Sequence, residues 1–65
     1  DAKIVLDFLS NSKIRPIIFF EYIHCENEIL KKALEILKIN NYYIFKIDEN
    51  LACFNKNIIE KIKFF

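Results

Sequence analysis

Sixty-five residues make one domain at most, and a chain this short buries only about 60% of the surface its unfolded form exposes, so its stability is small. Apolar side chains make up 54% of it, too many for a disordered tail, and ten basic residues against nine acidic ones leave no basic stripe for nucleic acid. Glycine is absent, which excludes a P-loop or a GxGxxG turn within the chain, because both need backbone N–H groups brought close to phosphate and φ turned positive.

The first eleven residues read as a helix, with Ile4, Val5, Phe8 and Leu9 at helical spacing and Leu6 widening the stripe. Asp1 favours the positive end of its dipole, and Ser10-Asn11-Ser12 ends it. Pro16 pushes Arg15 toward an extended backbone. Ile17-Ile18-Phe19-Phe20 then predicts a strand over 17–21, buried on both faces, with Glu21 where it emerges from the core.

Residues 26–39 give the clearest helix, its stripe formed by Ile29, Leu30, Ala33, Leu34, Ile36 and Leu37. Glu26 and Glu28 suit the positive first turn and Lys38 the negative last turn. Asn40-Asn41 stops the helix, since asparagine is the next best residue after glycine for the left-handed C-terminal position. Aromatic and β-branched residues make 42–47 a strand. Asp48-Glu49-Asn50 is read as a three-residue hairpin loop and 51–54 as the returning strand. Asn55 or Asn57 is placed to cap a last helix carrying Ile58, Ile59, Ile62 and Phe65. The order is helix, strand, helix, strand, strand, helix, in which the first crossover implies a parallel strand pair and the hairpin adds an antiparallel partner.

Chemistry-bearing residues gather just after the first strand, in Glu21, His24, Cys25, Glu26 and Glu28. Ligands of open α/β sheets bind outside the carboxyl ends of parallel strands, so the place suits a site. Adjacent His24-Cys25 lacks the spacing of zinc ligands, and no metal site is expected. Cys25 before a helix start is positioned for thiolate character but has no second cysteine at CxxC spacing. Cys53, inside Leu-Ala-Cys-Phe, reads as a small buried hydrophobe. Two cysteines 28 positions apart do not form the framework of a secreted mini-domain, no signal peptide is recognisable, and no apolar run nears the roughly 18 residues of a membrane span. A cytoplasmic location with no membrane partner is the expectation.

The stretch from Arg15 to Phe54 resembles the closing segment of FkbM-type S-adenosylmethionine-dependent methyltransferases. The matching text is RPIIFFEY, then ALEILKINNYYIFKIDEN, then LACF. Asn41 stands where that family has glycine. Asp1 and the helix behind it are similar to the sequence that follows that family's Asp-x-Glu-Gly motif, so the resemblance covers about four fifths of the chain; it implies an α/β fold, part of a Rossmann-like class I methyltransferase sheet. Strands 17–21, 42–47 and 51–54 would then be its last three, with 51–54 central and antiparallel. On this reading residues 1–65 are a single α/β unit forming the C-terminal part of a larger domain, inactive alone. The whole protein would move a methyl group from S-adenosylmethionine to an oxygen or nitrogen of a small molecule or sugar. The cofactor-binding residues would lie in the missing N-terminal part, none within this chain, and Glu21 is the one candidate for the substrate side. Two other readings stand beside it. One is a thioredoxin-like redox or binding module, since 17–63 also read β-α-β-β-α. The other is a non-enzymatic interaction domain, motivated by the apolar surplus.

Overall fold

The computed structural model describes residues 2–58. Its elements are α1 (Ala2–Asn11), β1 (Ile18–Glu21), α2 (Asn27–Ile39), β2 (Tyr42–Ile47) and β3 (Asn50–Asn55). The chain turns helical again at 56–58; the Ile59, Ile62 and Phe65 positions expected on that helix lie outside the described residues, as does Asp1. The fold is a small α/β unit, with helices packed on a three-stranded antiparallel sheet.

The sheet order is β1-β3-β2. β3 pairs antiparallel with both neighbours, Phe20 standing opposite Leu51 on one side and Ile44 opposite Cys53 on the other. β1 and β2 therefore run parallel to each other, joined by α2, with the returning strand of the hairpin inserted between them. Side chains alternate across a strand, so Ile18, Phe20, Leu51, Cys53, Tyr42 and Ile44 share one face. That face meets Val5 and Leu9 of α1 and Ala33 and Leu37 of α2 in a single core. Leu37 and Cys53 are fully buried at its centre.

Among the described residues two backbone positions carry positive φ without glycine, Asn41 at 62° and Asp48 at 52°. Asn41 follows the C-cap Asn40 of α2, and its N–H donates to the Lys38 carbonyl, the left-handed stop expected of this Asn-Asn pair. Asp48 opens the hairpin turn. That loop has two residues rather than three, because Asn50 pairs with Ile47 and belongs to β3. Aspartate tolerates the left-handed region better than most residues, which lets so tight a turn form.

Two further expectations are corrected. The 17–21 strand is not buried on both faces; β1 is an edge strand beginning at Ile18, and Phe19 is 61% exposed. Its alternate residues face the helices and the open side, and the described helix layer covers one side only. In α1 the buried stripe is Ala2, Val5 and Leu9, while Ile4 and Phe8 are exposed. Helical spacing located an apolar arc, of which the described elements bury only the Ala2, Val5 and Leu9 side.

Candidate functional site

The polar cluster expected after β1 sits at the mouth of a groove of about 620 Å³. Its walls come from three places: the start of α1 (Ala2, Lys3), the end of β1 (Phe19, Phe20, Glu21) and the entry to α2 (His24, Cys25, Glu26, Ile29). The groove therefore opens beyond the carboxyl end of β1, where α/β sheets hold ligands. Glu28, in the first turn of α2, is exposed and does not line it.

The sequence shapes this corner through one tight loop. Tyr22 continues past β1 far enough for its N–H to donate to the Glu49 carbonyl (3.0 Å), and its hydroxyl donates to the Asp48 carbonyl (3.3 Å). The chain then turns, with the Cys25 N–H on the Tyr22 carbonyl (3.1 Å) and the Cys25 thiol on the Glu21 carbonyl (3.3 Å). Glu26 is the N-cap of α2, with extended backbone and no side-chain cap bond. Its carboxylate is thus left for the dipole and the groove rather than for an N–H of the first turn.

Glu21 and His24 meet at 3.5 Å, with side chains 50% and 84% exposed. Water screens a pair so open, so it orients the two groups without fixing them. A half-exposed carboxylate beside an imidazole can accept a hydrogen bond from a hydroxyl or amine, and the imidazole can take or give a proton nearby. Among the described residues no three His, Cys, Asp or Glu side chains are grouped to hold a metal ion. Of the charged groups that line the groove, Glu21 and Glu26 are acidic and Lys3 is basic.

Cys25 and Cys53, both free thiols, occupy contrasting places. Cys25 is partly open at the groove. Cys53 lies in the core on β3, and burial pushes its thiol up to about 11 from the ordinary 9.0. Burial likewise raises the phenol of Tyr42, opposed by the nearby Arg15 charge and reinforced by Cys53. Its hydroxyl donates to the Pro16 carbonyl at 2.6 Å. A group whose folded pKa lies above its unfolded one adds stability that is complete below the unfolded value and disappears as pH climbs through the folded value. Urea midpoints should accordingly fall between pH 9 and 11, and Cys53→Ala should flatten part of that fall. At neutral pH a thiol reagent should modify Cys25 in the folded chain and Cys53 only after denaturation. Equal rates for the two thiols would contradict the core placement of β3.

A polar junction at the opposite end of the sheet is not visible in the sequence. Asn55 is buried at 3% exposure, its amide donating to the Asn40 carbonyl (2.8 Å) and its oxygen accepting from the Asn57 N–H (3.1 Å). Asn40 in turn accepts from Arg15 Nη2 (2.7 Å) and donates to the Ile36 carbonyl (2.8 Å). Asn55, not Asn57, is therefore the cap of the segment at 56–58. This junction ties α2, the approach to β1 and the end of β3 together, and its role is structural.

No helix among the described residues is long and apolar enough to cross a membrane. No family model matches the chain, and neither a curated protein nor a solved structure matches it.

Proposed function

We propose that the chain is the C-terminal part of an S-adenosylmethionine-dependent methyltransferase domain of the FkbM type, acting on an oxygen or nitrogen of a small molecule or sugar. The observation that carries this reading is the sheet order: an antiparallel β3 lies between two strands that run parallel and are joined by a helix. A hairpin most simply lays its second strand at an edge. Insertion between the parallel pair is a narrower arrangement, and it is the one that the resemblance implies.

A second feature supports a larger domain. The Tyr22 N–H points to β3, so by alternation the N–H and C=O of Phe19 point away from it, along the free edge of β1. Above that edge lies an apolar groove of about 300 Å³ lined by Ile4, Val5 and Phe8 of α1 and by Ile17 and Phe19. Right-handed crossovers with helices on one face step a sheet in one direction. A strand preceding α1 would therefore enter beside β1, on the side away from β3, and fill this groove. The partner of this unit is then the N-terminal part of its own domain.

In that arrangement S-adenosylmethionine supplies an electrophilic methyl group and is held by the N-terminal part, since this chain has no glycine for a Gly-rich turn. Glu21 faces the acceptor. Its carboxylate accepts the hydrogen bond of the hydroxyl or amine that is methylated, aiming a lone pair at the methyl group, with His24 beside it as a relay for the released proton.

The coding sequence upstream of Asp1 is the direct check. It should hold, within about 150 residues, one domain length, a strand followed by a Gly-rich turn and an acid at the next strand end. The protein encoded in full should bind S-adenosylmethionine in a calorimetric titration, and Glu21→Gln should leave that binding unchanged while lowering turnover at least tenfold. A stop codon or low-complexity sequence in place of that domain ends the reading.

A further inference from the structure

Among the described residues, the sheet face turned away from the helices is a large apolar surface. Phe19, Tyr43, Phe45 and Ile47 project from it with 44–61% of their surface open, around a central Ala52 that is 4% exposed. Phe45 packs edge-on against Phe54, ring centroids 6.0 Å apart, so the patch is an ordered aromatic surface. An aromatic side chain carries about 150–250 Å², which makes the open apolar area about 400 Å² per chain. Patches of that size on single chains are commonly functional.

We infer that this face binds the same face of a second copy of the chain, as a two-fold sandwich of two three-stranded sheets. Three observations select a copy. Apolar area from both partners comes to about 800 Å², close to the roughly 1,000 Å² at which specific complexes begin. The two ends of the face carry opposite charge. The Asp48-Glu49 turn lies at one end, and Lys56 lies at the other with its ammonium over the Tyr43 ring at 5.4 Å. A two-fold axis across the strands brings each Lys56 over the acidic turn of the other copy and Phe45 over Phe45, so that apolar rows and charges are matched together. Sheets meeting this way sit about 10 Å apart with interleaved side chains. The inference stands apart from the methyltransferase reading through Tyr43, Phe45 and Ile47 on β2; the strand proposed ahead of α1 would border Phe19, the one patch residue on β1. A strand added ahead of α1 extends the sheet beyond β1 and leaves the outer face of β2 and β3 open.

Sedimentation equilibrium of the 65-residue chain tests the arrangement. The chain should be a dimer with micromolar dissociation, weakened by added salt. Phe45→Glu should give a monomer at the same concentration, and Ile47→Lys serves as a second variant, with far-UV circular dichroism showing that each still folds. Lys56→Glu should weaken the dimer at least tenfold, and adding Glu49→Lys should restore it, because the swap recreates the pair with reversed sign. A chain that stays monomeric up to millimolar concentration overturns the inference, as does a dimer unaffected by Phe45→Glu and Ile47→Lys. Failure of the charge swap to restore association would overturn the two-fold placement.

Discussion

Leu37→Ala should remove most of the cooperative unfolding transition of this chain. Leu37 is fully buried where α2 meets α1 and the sheet. Truncating a buried leucine costs about 2–5 kcal/mol, the upper part of the range applying where surrounding side chains cannot close on the cavity. The whole stability of a domain this size is roughly 3–10 kcal/mol at the usual value per residue. One core leucine is therefore worth a large fraction of the total, and with so few core residues there is little to relax into the gap. Urea unfolding followed by circular dichroism reads the effect directly, and Lys38→Ala, at an exposed neighbouring position, should stay within about 0.5 kcal/mol of the parent. A loss below about 1 kcal/mol for Leu37→Ala would place the core elsewhere.

Asn55→Ala should cost nearly as much, by a different mechanism. The substitution removes the partner of the Asn40 carbonyl and of the Asn57 N–H, both now satisfied by the Asn55 amide in part-buried hydrogen bonds. Leaving a buried polar group unpaired costs about 1–3 kcal/mol, and losing an N-cap costs about 0.5–2 kcal/mol. The expected loss is about 2–4 kcal/mol when the two are combined, with allowance for incomplete additivity. Asn55→Ser separates them. A serine hydroxyl can still accept from the Asn57 N–H but does not reach Asn40, so its loss should fall between the parent and the alanine variant. Equal losses for serine and alanine would mean that the cap bond contributes nothing and that the link to α2 carries the whole effect.

The elements lie close to the sequence expectation where local chemistry is decisive. α2 differs from the expected 26–39 by one residue, because Glu26 is its cap. β2 matches 42–47, and β3 extends 51–54 by one residue at each end. The Asn40-Asn41 stop is legible because a chain without glycine must use asparagine or aspartate wherever φ turns positive. The site was legible in part. Glu21, His24, Cys25 and Glu26 do gather at one groove because they are close in sequence at a strand end, whereas Glu28 falls outside it. The Arg15–Asn40–Asn55 junction was not legible, because its members are far apart in sequence. Asparagine at a strand end reads as an ordinary turn residue until folding buries it.

The sequence by itself determined where the helices and strands lie, which residues are apolar, and that no glycine-dependent phosphate loop can form. These follow from steric limits on φ and from side-chain periodicity, both local properties. Only the tertiary structure decided that β1 is an edge strand among the described residues, that α1 buries Ala2, Val5 and Leu9 and leaves Ile4 and Phe8 exposed, and that the far face of the sheet is aromatic and not covered by the described helices. The physical reason is that an apolar run records a side chain's preference for burial. Burial itself depends on a neighbouring surface, and that neighbour is chosen by long-range pairing that periodicity does not encode.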